Sequence, residues 1–190
     1  MWQAMVVAMM TPTVLPWVST FARLTAPSGV GVPTALAVAA FPAGYFAIWL
    51  AYSAAAAALQ TALQQLGLLA DDRVAVPLGG AVLILAGLSQ FLPLKRACLA
   101  HCRNPLTYFL ARWRNGPIGG LRLGVTHGAY CLGCCWLVML SGFGMGLMNL
   151  AWMAVLTLVL CLEQVAPGGE RVGRAAGVAM AAWGLALILT

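Results

Sequence analysis

The chain has 190 residues, of which 63% are hydrophobic and only 7% are charged, and its formal net charge is +6. A soluble domain carries about 45–50% apolar and about 25% charged residues, so this composition excludes an ordinary water-soluble domain and predicts a protein of the lipid bilayer. The positive residues are too few and too localised to predict nucleic-acid binding. Long, continuous apolar runs favour helices over a membrane β-barrel.

The apolar runs predict an all-α fold, a bundle of about six transmembrane helices that forms one membrane domain over residues 1–190. A spanning helix needs about 20 apolar residues. In chain order, the candidate spans are residues 1–21, 34–66, 74–94, 121–144, 148–165 and 175–190.

Prolines and polar residues mark the predicted breaks in this bundle. Pro12 and Pro16 should kink the first span or end it early. We expect a loop at residues 25–33 and a short turn at residues 71–73. A further turn, at residues 167–170, precedes the sixth span.

The polar stretch at residues 95–120 separates the third and fourth spans. Within it, residues 105–113 predict a short interfacial helix that would hold Tyr108, Phe109 and Trp113 at headgroup depth.

Basic residues are distributed very unevenly between the predicted loops. With six spans, loops one, three and five would carry nine basic residues on one side, and Arg73 would stand alone on the other. Cytoplasmic loops are enriched in Lys and Arg. This bias predicts a multi-pass protein of the bacterial inner (cytoplasmic) membrane with both termini in the periplasm.

Five of the six cysteines lie in two short segments beside apolar sequence. Cys98 and Cys102 are one helical turn apart with His101 between them, and Cys131, Cys134 and Cys135 form the second group. Thiolates and imidazoles are soft ligands of copper, zinc and iron. A lone cysteine in a membrane helix is usually a packing residue, but two such groups are hard to explain by packing alone.

The second cysteine group forms one face of a predicted helix. His127 precedes Cys131 by four residues, so that His127, Cys131, Cys134 and Cys135 share that face. Met139 lies one turn beyond Cys135, at the edge of the same face. We therefore predict metal ligands at Cys98, Cys102, Cys131, Cys134 and Cys135, with His101, His127 and Met139 as secondary candidates. The third and fourth spans should be neighbours, which would bring both groups together.

Other conspicuous residues have simpler interpretations. Methionines such as Met5, Met9 and Met10 suit Cu(I), but they also fill irregular gaps in a core, and packing is favoured for them. Glu163 follows a long apolar run. It is either a functional acid within a span or a residue at the cytoplasmic boundary, paired with Arg171, Arg174 or a basic residue of the loop between the third and fourth spans. Asn149 is expected to cap the fifth helix.

The sequence resembles a prokaryotic family of predicted metal-binding integral membrane proteins, the domain of unknown function 2182. The resemblance rests on four places in this chain: residues 2–12; Gly44, Tyr45 and Trp49; residues 93–105; and residues 128–136, continuing into residues 148–153. It implies a multi-helix membrane protein with a metal site, and it implies no reaction. Similar proteins carry a further helix before the methionine-rich one, inside which this chain begins.

Three functions remain open at this stage. The favoured one is a membrane protein that binds, delivers or retains a metal, with copper favoured over zinc or iron, for a partner membrane complex. The second is a membrane thiol–disulfide oxidoreductase that uses the spacing of Cys131 and Cys134. The third is a structural accessory subunit whose cysteines only pack. Whether the protein is an enzyme is therefore undecided. The expected partners are the lipid bilayer and other membrane proteins.

Overall fold

A computed structural model describes residues 1–25, 34–70, 73–74, 76–145 and 149–189. These residues form helices joined by short connections, which confirms the predicted all-α class. The helices are α1 Trp2–Thr25, α2 Thr34–Gln65, α3 Val76–Ser89, α4 Pro93–Arg103, α5 Pro105–Arg112, α6 Gly116–Leu140, α7 Gly142–Met145, α8 Leu150–Val165 and α9 Gly169–Leu189. Two very short strands, β1 Leu69–Ala70 and β2 Arg73–Val74, pair in antiparallel fashion. Most of the predicted loop at residues 25–33 and of the turn at residues 71–73 lies outside the described residues.

Four helices, α1, α2, α6 and α9, are long and apolar enough to cross a membrane. A fifth span is present if α3 and α4 together count as one, and α8 is a shorter apolar helix. Each predicted span therefore corresponds to a helical segment. Within the described part of the chain, however, fewer than six segments meet the length and hydropathy of a complete span.

The predicted third span, residues 74–94, is wrong in its extent. Helix α3 ends at Ser89, and the axis turns by 64° into α4. Pro93 begins α4, and Leu92 before it has extended backbone angles (φ −65°, ψ 137°). A residue before proline is pushed out of the helical region, and proline itself has no N–H to donate. The bend therefore follows directly from Pro93.

Of the two outcomes predicted for the prolines of α1, a kink or an early end, the early end does not occur. Helix α1 continues through Pro12 and Pro16 to Thr25. Its second half is held by packing, because Trp17 and Phe21 are buried in the main core. This packing outweighs the hydrogen bonds that two prolines remove.

The predicted helix at residues 105–113 is present as α5, but its aromatic residues face inwards. Phe109 is fully buried, and its ring lies against Trp17, Phe21 and Phe41 with centroids 5.2–5.5 Å away. Tyr108 is also buried. These two rings therefore belong to the protein core and do not face lipid headgroups.

The main core lies where α1, α2, α5, α6 and α8 meet, and it includes Cys102 from α4. Helices α2 and α6 approach closely through a row of glycines on α6. Cβ atoms at Gly120, Gly124 and Gly128 would point at backbone carbonyl oxygens of α2. Small residues four apart allow such close approach between membrane helices. This contact fixes α6, which carries most of the candidate ligands, against α2.

A second glycine contact joins α3 to α9. Gly80 lies against Gly184, and Gly87 lies against Gly177, so that each pair excludes side chains between the two backbones. This pair of helices packs around the smaller core of Leu83, Ala86 and Met180.

Replacing Gly124 by alanine should destabilise the fold. The added Cβ would overlap the carbonyl oxygen of Phe41, which is backbone and cannot move aside cheaply. We expect the free energy of unfolding to fall by about 1–3 kcal/mol, although alanine is the better helix former. Denaturation in mixed detergent micelles measures this loss. The control, Ala129→Val on the exposed side of α6, should change stability by less than about 0.5 kcal/mol. Equal stabilities of the two variants would contradict the packing argument.

Candidate metal centre

Three thiols of α6 form a compact, buried cluster. The Sγ atoms of Cys131, Cys134 and Cys135 all lie within 4.8 Å of one another. Their side chains are between 0% and 5% exposed. Residues three and four apart share one face of a helix, so regular helical geometry alone brings these sulfurs together.

The cluster is chemically available for a metal. All six cysteines lie within the described ranges, and all are free thiols. The thiols of Cys134 and Cys135 donate to the carbonyl oxygen of Cys131, with S···O distances of 3.0 and 2.8 Å. These are weak hydrogen bonds. On losing their protons, the same sulfurs become thiolate ligands, which is the form that binds metal.

Helix α4 contributes a fourth thiol to this cluster. Cys102 is 2% exposed, and its thiol faces those of Cys131 and Cys134. The bend before Pro93 directs α4 across α6 and makes this approach possible. The structure thus brings together cysteines from both sequence groups.

Cys98 lies at the margin of the cluster. It is only partly buried, and a Cβ built at Gly133 would sit 3.0 Å from its sulfur. The absence of a side chain at Gly133 therefore leaves room for the Cys98 thiol against α6. Cys98 is the more accessible of the two α4 thiols.

His127 lies one turn before Cys131, inside an aromatic cage. Its ring stacks on Trp17 with a centroid distance of 3.7 Å and an interplanar angle of 24°. The ring of Tyr45 is also stacked with that of His127, with a centroid distance of 5.4 Å and an interplanar angle of 23°. The side chain is 1% exposed, and its Nδ1 atom has no hydrogen-bond partner. Buried polar atoms are rarely left unpaired, yet this nitrogen lacks a partner that the described residues could supply.

Three polar residues that the sequence analysis did not assign to the site also surround Cys131. The Tyr45 hydroxyl lies 3.2 Å from the Cys131 sulfur, and Thr13 lies 3.4 Å from that hydroxyl. Gln164 directs its amide nitrogen to the same sulfur at 3.8 Å. Hydrogen bonds to a metal ligand orient it, and Tyr45 and Gln164 are placed to do so at Cys131 when its sulfur binds a metal. Tyr45 was noted only as part of the family resemblance, and no local pattern marked Thr13 or Gln164.

The structure does not bring His101 to the thiols. Its ring is exposed, stacks on Tyr130 at 4.4 Å, and has Nδ1 2.9 Å from the carbonyl oxygen of Ala97. Met139, by contrast, is 1% exposed and belongs to the same core as the cysteines. It lies one turn beyond Cys135, outside the compact group of three sulfurs.

Tyr108 closes the cage on the side of α5. Its hydroxyl donates to the carbonyl oxygen of Leu123 at 2.9 Å, and its ring lies 6.0 Å from that of His127. Burial raises the pKa of Tyr108 to about 12, against the opposing effect of Arg112 nearby. The phenol therefore stays neutral at physiological pH and adds no charge to the site.

A second polar cluster lies apart from the thiols, between α4, α8 and α9. The ammonium of Lys95 binds both carboxylate oxygens of Glu163, at 2.9 and 2.8 Å, and also contacts the side-chain oxygen of Gln90. Lys95 and Glu163 are 5% and 1% exposed. Glu163 is therefore the partner of a base, and that base is Lys95 rather than Arg171 or Arg174.

Apolar helices packed around a buried group of free thiols define a candidate soft-metal protein. A family profile described as PpoB2, copper chaperone, matches residues 1–187. The chain therefore belongs to this copper chaperone family. Searches of curated proteins and of solved structures found no match to it.

Proposed function

We propose that this protein is a membrane-embedded Cu(I) chaperone that carries the ion in its thiol cluster and delivers it to a partner membrane protein. The observation that carries the proposal is the group of three buried, free sulfurs within 4.8 Å of one another. Membership of a copper chaperone family supports the choice of metal.

Family membership favours Cu(I) over zinc or iron. Thiolates are soft ligands that suit Cu(I). Four thiolates can also hold zinc tetrahedrally, so the choice of metal rests on the family and not on the number of sulfurs. The ligands proposed are Cys131, Cys134, Cys135 and Cys102, with Cys98 at the margin of the cluster and His127 one turn before Cys131 as secondary candidates. Tyr45 and Gln164 would hold the Cys131 sulfur in position.

The setting of this site in the cell is part of the proposal. The apolar helices are compatible with a membrane protein, and the distribution of basic residues supports one domain in the inner membrane with periplasmic termini. Kinship with the domain of unknown function 2182 is proposed on the motifs quoted above.

Thiol–disulfide exchange is supported less well by the geometry. Exchange requires a thiolate to reach the sulfur of another molecule. The Cys131 and Cys134 thiols are 0% and 5% exposed. A purely structural role does not account for membership of a copper chaperone family.

Metal analysis of the detergent-purified protein tests this function. Wild-type protein loaded anaerobically with Cu(I) should retain about one tightly bound ion per chain against a colorimetric Cu(I) chelator. The Cys131→Ser/Cys134→Ser variant should retain almost none, since it lacks two of the proposed ligands. The matched control is Cys161→Ser, because Cys161 is a partly buried thiol on α8 outside the cluster, and it should bind copper like the wild type.

Three results would count against the proposal. Equal copper retention by the double variant and the wild type would remove the cluster as the site. Tight zinc or iron with no Cu(I) would replace the metal. Reversible disulfides among these cysteines without any bound metal would favour the oxidoreductase.

A further inference from the structure

A groove between α1 and α8 contains three methionine side chains that the proposed thiol site does not use. Met1, Met5 and Met153 line a cavity of about 320 Å³ together with Trp2 and Leu150. Met1 is 64% exposed, and Met5 is 9% exposed. The groove therefore leads from the surface of the molecule to the edge of the main core.

Ring contacts of α1 show how this groove stands relative to the thiols. Trp2 packs on Phe143 of α7 at 5.2 Å, and Trp17 stacks on His127 of α6 at 3.7 Å. Helix α1 therefore runs in the opposite direction to α6. Since each helix rises about 1.5 Å per residue, residues further along α1 lie level with residues further back along α6.

This register places methionines of α1 level with the ligands of α6. Met5 comes level with Met139, and the pair Met9 and Met10 comes level with Cys134 and Cys135. An independent contact agrees with this register, because Thr13 reaches Cys131 through the Tyr45 hydroxyl. Met9, Met10 and Met139 are at most 2% exposed and lie in the same core as the thiols. The core that holds the thiols thus also holds these methionines and the groove residue Met5.

Packing explains only some of these methionines. Methionine fills irregular gaps in cores, which accounts for Met9 and Met10. The side chains of Met1, Met5 and Met153, however, line an open cavity instead of filling it. Met1 precedes α1, Met5 lies on α1 and Met153 lies on α8, so the convergence is not a consequence of helical spacing alone.

We propose that the Met1–Met5–Met153 groove is a second, weaker Cu(I) site, through which the ion passes between the surface and the thiol cluster. This inference rests on the proposed function. Neutral thioethers bind Cu(I), and the ion remains Cu(I) as it exchanges one thioether for the next. No proton moves until a thiol of the cluster becomes a thiolate, when its proton passes to water.

Methyl NMR tests the groove directly. Wild-type protein labelled with ¹³C at the methionine methyl groups is titrated anaerobically with Ag(I), a redox-inert substitute for Cu(I). The methyl signals of Met1, Met5 and Met153 should shift together after the thiols are saturated. Met180 is buried in the smaller core between α3 and α9, and its signal should not move. Unshifted groove methyls, or equal shifts at Met180, would overturn the site.

Loading kinetics test the role of the groove. In Met5→Leu/Met153→Leu, Cu(I) uptake into the thiol cluster should slow by about tenfold or more, which is about 1.4 kcal/mol of barrier, with unchanged copper stoichiometry. Met180→Leu is the matched control and should load at the wild-type rate. Unchanged loading in the double variant would refute the path. Failure of the thiol cluster to bind copper would instead refute the proposed function. In that case the methyl shifts of Met1, Met5 and Met153 would still show whether the groove binds the ion.

Discussion

Replacing Lys95 by methionine should lower the free energy of unfolding by about 3–5 kcal/mol, because it leaves the buried carboxylate of Glu163 without its counter-charge. The ammonium of Lys95 binds both oxygens of that carboxylate. Neither residue is more than 5% exposed. Unfolding in mixed detergent micelles, followed by circular dichroism, measures the change.

Two further variants identify the cause of this loss. Replacing both charges, in Lys95→Met/Glu163→Leu, should recover much of the stability, since no unpaired charge then remains buried. Arg174→Met is the matched control. Its partner Glu170 lies 3.6 Å away, both side chains are about half exposed, and such surface pairs contribute less than about 1 kcal/mol. If Arg174→Met destabilised the protein as much as Lys95→Met, burial would not be the decisive factor.

The second large effect is expected at Cys102. Cys102→Ser should weaken Cu(I) binding by about a hundredfold or more, which corresponds to about 2.7 kcal/mol, because the buried thiol of Cys102 faces Cys131 and Cys134. Loss of a residue that only supports a ligand already costs about 10- to 100-fold in affinity. Competition with a chromophoric Cu(I) chelator under anaerobic conditions measures the dissociation constant.

Cys98→Ser is the matched control for Cys102→Ser, since both residues lie on α4 one turn apart. Cys98 is only partly buried and lies at the margin of the cluster. We expect its replacement to weaken binding by less than about tenfold, or about 1.4 kcal/mol. A reversed order of the two effects would mean that the ion sits on the side of Gly133 instead.

These two experiments are linked through α4. Lys95 and Cys102 belong to the same short helix, and the ion pair with Glu163 attaches that helix to α8. Arg103 adds a hydrogen bond from its guanidinium to the carbonyl oxygen of Ala166 at 2.8 Å. Loss of the ion pair should therefore weaken copper binding as well as stability.

Features that depend on one helix were accessible from the sequence. The alignment of His127, Cys131, Cys134 and Cys135 on one face follows from the period of the α-helix, and the compact thiol group of α6 has this geometry. The role of Asn149 was also local, and its side chain accepts the backbone N–H of Trp152 at 3.1 Å. The roles of His127 and the three cysteines as metal ligands remain predictions.

Features that depend on two helices were not accessible. Whether His101 or Cys102 reaches the thiols of α6 is decided by the rotation of α4 about its axis, which the bend before Pro93 sets. The sequence left Glu163 with several candidate bases, because only the packing of α4 on α8 selects Lys95. The contacts of Tyr45 and Gln164 with Cys131 likewise depend on the register between helices, which hydropathy does not encode.

The depth of the sulfur cluster has a further consequence for the chemical survival of the protein. Peroxides and other oxidants convert exposed thiolates stepwise to sulfenic, sulfinic and sulfonic acids, and the last form cannot be reversed. Cys131, Cys134 and Cys135 are at most 5% exposed, so peroxides should oxidise these three thiols more slowly than the partly buried thiols of Cys98 and Cys161.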